Sequence, residues 1–163
     1  MVLDSSGSIF DLRPWLEKAK AMEQLQEVEG ADLNLEVGAI TELNAKRGGP
    51  ALLFEFKGHQ EGFRVLTGSM LNAATLGLTM GFEGQLDNLA VVDKVADTLR
   101  AIETKSADYP MEFVSDGPVM ENKVTGEDID LTIFPIPIWH ELDGGPFIGT
   151  GVWQIHQDPD TGW

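Results

Sequence analysis

Cysteine is absent from the 163 residues. That excludes a disulfide scaffold, a thiol nucleophile and thiolate metal ligands, and it suits a reducing compartment, so the chain is expected to be cytoplasmic. Basic residues are scarce: 11 Lys+Arg stand against 27 Asp+Glu, a net charge of −16. A phosphate-backbone binder needs a basic surface, and so does a protein that docks on anionic lipid. Neither nucleic acid nor a membrane is therefore expected as a partner. Long apolar runs are missing too. The longest, Leu131 to Trp139, is interrupted by Thr132, Pro135 and Pro137, whereas a membrane span needs about 20 apolar residues. The opening residues MVLDSSGSIF have neither a basic start nor an apolar stretch, so they do not read as a secretory signal.

With 42% hydrophobic residues and 23% charged, the chain can bury a core and is not a disordered acidic tail. Ser8 and Asp11 have capping-box spacing. Leu12, Trp15, Leu16, Ala19, Met22 and Leu25 then recur at helical steps, with Pro14 tolerated in the first turn. Gln24 to Glu29 reads as a short strand. Asp32 is placed to cap a second helix with Leu33, Val37, Ile40 and Leu43 on one face, stopped by Gly48-Gly49-Pro50. Ala51 to Phe56 reads as a buried strand and Phe63 to Thr67 as its partner, joined through Gly58, His59 and Gly62. A helical stretch is expected over Met70 to Met80. A longer helix is expected from Asp87 to Lys105, with Leu89, Val92, Val95, Ala96, Leu99 and Ile102 inside.

Beyond Tyr109-Pro110 the helical period stops and Pro and Gly become dense. The expectation there is short extended pieces, turns at Asp116-Gly117 and Asp143-Gly144, and a strand over Phe147 to His156. The turn Asp158 to Gly162 follows, and Trp163 ends the chain. A strand and hairpin turn call for a return strand, so the chain reads as the N-terminal part of a longer polypeptide; the alternative is a chain that closes differently, with Phe147 to His156 pairing to an earlier strand and the turn fraying.

No single motif identifies a chemistry. Asp4, Ser6 and Ser8 have the spacing of an adhesion-type metal site, but no buried strand precedes them, and Ser8 is better read as a helix cap. Gly48-Gly49-Pro50 runs from helix into strand, the reverse of a phosphate loop. Gly149-Thr150-Gly151 lies within a strand and marks close approach of a backbone or a flat ligand. His59, His140 and His156 lack the spacing of paired metal ligands, so no metal ligand is assigned. His140, beside Trp139 in the Pro/Gly-rich segment, is the histidine best placed for a role. The carboxylates read as a solvated acidic surface.

The order of the motifs says more. Asp11–Glu17 (DLRPWLE) and Gly48–Glu55 (GGPALLFE) are followed by Gly117-Pro118-Val119, Thr125–Leu131 (TGEDIDL) and Pro135–His140 (PIPIWH). Asp143–Gly151 (DGGPFIGTG) and Asp158–Trp163 (DPDTGW) complete the series. This series, from Ile9 to Trp163, resembles the start of the UbiD family of decarboxylases.

The resemblance implies an α/β (α+β) chain: a small N-terminal helix-and-sheet domain over 1–108, then the first strands of a split β-barrel flavin-binding domain over 109–163. It implies a non-oxidative, reversible decarboxylase of aromatic, heteroaromatic or α,β-unsaturated carboxylic acids, working through an adduct with prenylated FMN. A divalent metal (Mn2+ or Mg2+) and K+ accompany the cofactor in such enzymes. The implied partners are a small carboxylic acid substrate, further copies in a homo-oligomer, and a flavin prenyltransferase that supplies the cofactor. The family's catalytic residues and its first cofactor ligands are expected downstream of Trp163. Here Trp139, His140 and Thr150 lie in segments placed to approach the cofactor pocket. The 163-residue chain alone is expected to bind no cofactor and to be inactive. The alternative reading is a non-catalytic small subunit or acidic assembly module, and the intact mass of the native product separates the two.

Overall fold

The computed structural model describes residues 12–56, 62–84, 86–105, 115–117, 120–149 and 157–163. Four side chains in a row, Ala51 to Phe54, are buried, and this run forms the middle strand of the sheet. The strands are β1 (Leu25–Glu29), β2 (Ala51–Glu55) and β3 (Arg64–Thr67). Their order is β1-β2-β3, with β1 parallel and β3 antiparallel to β2. Successive residues of a strand point to opposite faces. Ala51 accordingly joins Trp15, Ala19 and Leu78 on one side, while Leu52 and Phe54 join Val37 on the other.

The first face is covered by α1 (Leu12–Ala21) and α3 (Ala73–Thr79). Trp15 gives its Nε1 proton to Thr79 Oγ1 at 3.1 Å. Asn72 caps α3 reciprocally with Thr75, and its side-chain amide donates to Gln24 Oε1 and the Gly49 carbonyl. One capped helix start is thereby tied to both neighbouring connections. The second face is covered by α2 (Glu36–Lys46), the crossover between the parallel strands. A longer helix, α4 (Asn88–Thr104), is capped by the Asp87 carboxylate and rests on α3.

Several expectations need correction. Asp32 does not cap α2: its carboxylate accepts from the Asn34 amide at 2.8 Å, and the helix starts at Glu36 after Leu35 in the left-handed region (φ 72°). The cause is tertiary. Leu35 N donates to the Ile138 carbonyl and Ile138 N donates to the Leu33 carbonyl, both at 2.9 Å. Leu33 to Leu35 therefore bind a distant segment instead of joining the helix. Leu43 is exposed, off the face assigned to it. The helical stretch expected from Met70 is shorter, because Gly68 to Leu71 form a turn closed by Leu71 N on the Gly68 carbonyl.

Helix α4 spans its expected range, but four of the six apolar residues assigned to its interior are not inside, while Val95 and Ala96 are half-buried. Leu89, Val92, Leu99 and Ile102 are 78%, 62%, 58% and 49% exposed. Val91 is the buried residue of that helix, against α3 beside Gly77. The pattern is that of a buried face, and nothing among the described residues lies over it.

In the second half, the described residues form no strand. They make two short 3-10 turns, Gly126–Asp128 and Leu131–Ile133, and one isolated bridge, Asn34 to Ile138. The dense prolines explain part of this, since each removes a ladder donor. Most of the strand expected over Phe147 to His156 falls on 150–156, outside the described residues. So do Ser8, Asp11, the connection through Gly58 and His59, and Tyr109-Pro110.

The turn at the end of the chain is well formed. Asp158 accepts from the Asp160 and Thr161 amides at 2.9 and 2.7 Å, and its own amide donates to the Trp163 carbonyl. The bonds from Thr161, and then from the Asp160 amide, hold the Asp158 carboxyl below the ordinary aspartate range. A depressed carboxyl stabilises the turn above its unfolded pKa and loses that contribution only as pH falls through the lower, folded value. The Thr161 amide resonance should therefore hold its position through the ordinary aspartate range and move below it. An NMR titration in which it moves with an exposed aspartate would contradict this.

Candidate functional site

The segment from Pro135 to Trp139 crosses the N-terminal helix-and-sheet unit over α2. Room for the crossing comes from one missing side chain. A Cβ on Gly38 would lie 1.9 Å from the Trp139 carbonyl oxygen, so the two backbones touch. Gly inside a helix costs about 1 kcal/mol relative to Ala, and here that weakness permits a close crossing. Gly38 is the packing position behind the cavities that the sequence pattern did not reveal. Its only signal was a glycine in the middle of a helical pattern.

Beyond the crossing, the Trp139 ring packs into the cluster of Val37, Leu52 and Phe54. Its Nε1 donates to the Phe147 carbonyl at 3.0 Å, and the two rings lie 6.1 Å apart. Phe147 N donates back to the Pro137 carbonyl at 3.3 Å. The stretch Phe147 to Gly149, which leads toward Thr150, is thus hung from Trp139. Thr150 itself lies outside the described residues.

Two adjoining cavities open around this pair. One, of about 280 Å³, lies between β3 and the proline segment and is walled by Phe63, Val65, Phe134, Ile136, Trp139 and Phe147. Phe63 meets Phe134 edge-on at 4.9 Å. The second, of about 640 Å³, shares Trp139 and Phe147 and adds Thr41, Thr67, Ser69 and His140. Thr41 and Thr67 hydroxyls lie 3.2 Å apart on its wall. The walls are aromatic and apolar with a few hydroxyls, a lining suited to a flat, largely apolar group.

Trp139 and His140 therefore meet at one place, Trp139 on both cavities and His140 on the second. His140 is exposed, its amide donates to Asp143 Oδ2 at 2.9 Å, and its Nδ1 lies 3.8 Å from the same oxygen. The Asp143-Gly144 turn so holds the His140 backbone. Charge near the cavities is thin. Arg64, on the first cavity, faces Glu55 at 3.7 Å. Lys46 bonds to Glu42 and is the main cause of the lowered Glu42 carboxyl, with His140 the smallest contributor. Among the described residues, no group of three or more His, Asp or Glu could hold a metal ion.

Comparison with known proteins bears on what this arrangement belongs to. The family model described as the 3-octaprenyl-4-hydroxybenzoate carboxy-lyase N-terminal domain matches residues 16–99. The model described as the Rift-related domain of the same carboxy-lyase matches residues 112–163. The chain belongs to the UbiD family. Its relatives within that family include pyrrole-2-carboxylic acid decarboxylase of Pseudomonas aeruginosa, 33% identical over 161 residues, which covers 96% of this chain and 32% of the relative. Ferulic acid decarboxylase 1 of Candida dubliniensis is 32% identical over 171 residues, 93% of this chain and 32% of the relative. Ferulic acid decarboxylase 1 of Saccharomyces cerevisiae is 30% identical over 163 residues, with 94% and 32% covered. The chain spans about a third of the length of these UbiD-family relatives.

The crossing predicts opposite outcomes for two glycines. Gly38→Ala must displace the Trp139 backbone and should cost about 3 kcal/mol, the upper part of the range for overpacking. A Cβ on Gly144 would meet nothing within 4 Å, so Gly144→Ala should stay within about 0.5 kcal/mol of the parent. Urea unfolding of the two variants checks this, and equal midpoints would remove the close crossing from the account.

Proposed function

We propose that the chain is the N-terminal part of a non-oxidative, reversible carboxy-lyase with prenylated FMN as its cofactor. Its substrate would be an aromatic, heteroaromatic or α,β-unsaturated carboxylic acid. The observation that carries the reading is the match of two domain models of one carboxy-lyase, in order, along the chain. The names of the relatives support the substrate class: pyrrole-2-carboxylic acid is heteroaromatic, and ferulic acid is an aryl α,β-unsaturated acid.

The described residues do not by themselves fit the flavin phosphate, the divalent metal (Mn2+ or Mg2+) or K+. They provide no cluster of metal-ligating groups, and the cation on the first cavity, Arg64, is shared with Glu55. No step of the reaction is therefore assigned to them. Their part in the proposal is shape: aromatic walls that suit a flat group, and a Trp139 anchor that fixes where the Phe147 to Gly149 stretch runs. The cofactor's ligands and the groups that handle the proton lie beyond Trp163 in this reading, and the 163-residue chain is inactive alone. A homo-oligomer, a flavin prenyltransferase as cofactor supplier and a cytoplasmic location go with the same reading.

The test compares two lengths. The polypeptide at the length of its relatives, loaded with prenylated FMN, should release CO2 from an aryl or enoic acid. The 163-residue chain should show neither flavin absorbance nor turnover. Stoichiometric flavin on the shorter chain would put the cofactor site within it and overturn the proposal.

A further inference from the structure

Helix α4 carries two apolar faces and uses one of them. Val91 is buried against α3. Val92 sits about 100° further round the helix, and Leu89, Val92, Ala96 and Leu99 follow one another at steps of three, four and three. Leu89, Val92 and Leu99 are 78%, 62% and 58% exposed. Asp93, Asp97 and Arg100 lie beyond that stripe, and Asp97 and Arg100 pair with each other in solvent at 2.9 Å. The charged side of the helix is thus already accounted for. A stripe of leucine and valine beside it has no reason to face water, and a contiguous exposed apolar strip marks an interface.

The shape of the stripe limits what can cover it. It is narrow and straight, about 15 Å from Leu89 to Leu99 at the helical rise. Its three-four spacing is the seam that receives the side chains of another helix; a sheet would need a broader face. A source for that helix follows from length. The relatives to which the chain aligns almost throughout are about three times as long, the aligned part being 32% of each. A polypeptide of that length has a further two thirds to pack against this unit.

We propose that the Leu89–Val92–Ala96–Leu99 stripe of α4 is the seat of a helix from the remaining two thirds of the same UbiD-family polypeptide. The residues that periodicity assigns to an interior are then interior in the longer protein, and α4 is a helix held between α3 and that second helix. This goes beyond the decarboxylase reading and does not need it.

The absence of cysteine from residues 1–163 gives a direct test. Leu99→Cys and Leu89→Cys place a thiol on the stripe, and Asp97→Cys places one on the charged side as an exposed reference. Each is made in the polypeptide at its relatives' length, and maleimide labelling at each position is read by peptide mass. The stripe thiols should label at least about tenfold more slowly than the reference, the protection of a packed site, at every protein concentration. Two results overturn the proposal. Equal labelling at all three positions means that nothing covers the stripe. Protection that disappears as dilution separates copies, followed by sedimentation, assigns the seat to a second copy instead. Far-UV circular dichroism checks the helix in each variant, and the Leu89 position decides if Leu99→Cys disturbs it. Labelling needs no turnover, so failure of the decarboxylase reading and failure of this one are told apart.

Discussion

Strand β2 must be covered on both faces, and the rest of the structure follows from that requirement. Ala51 to Phe54 are all buried, so neither side of the sheet can face water. α1 and α3 close one side. On the other side α2 alone does not suffice, and the cluster around Val37, Leu52 and Phe54 is completed by Trp139. That tryptophan comes from the part of the chain matched by the Rift-related model, whereas the other members come from the part matched by the N-terminal model. The two matched segments therefore share one core cluster.

The sharing explains the position of the cavities. Trp139 packs its ring against the core and keeps its N–H for the Phe147 carbonyl. The Phe147 stretch is held off β3 at a fixed distance, and the space left is walled from both segments. A buried apolar contact and one hydrogen bond, which is worth about 1 kcal/mol in net stability, set the geometry together.

Much of the helix-and-sheet unit was legible from residue pattern. The run ALLFE between a glycine stop and a glycine-bearing connection could hardly be anything but a buried strand, and the strand at Leu25 and the helices at Leu12 and Asn88 followed from their periods. What escaped depended on partners distant in sequence. Asp32 looked like a helix cap because nothing local shows that Leu33 and Leu35 bond to Ile138. Gly38 carried no reading from the sequence, because the backbone it admits lies far along the chain. The apolar side of α4 has the pattern of a packing face, yet its cover is not among the described residues. In the proline-rich half, local signals marked turns well, as at Asp158, but could not say which extended pieces form ladders. Motif order singled out Trp139 and His140, which line the cavities, and their chemistry was not legible from composition or spacing.

The contact between Gly38 and the Trp139 carbonyl also bears on how such a protein can be recombined. Two surfaces that meet through side chains can be adjusted by exchanging those side chains. Two backbones in contact leave nothing to exchange. A chimera that takes its first hundred residues from one relative and the remainder from another must keep a glycine at position 38, and must bring in a crossing segment of the same path. The seam between the segments thus behaves less like a linker between portable modules than like a joint cut to one fit.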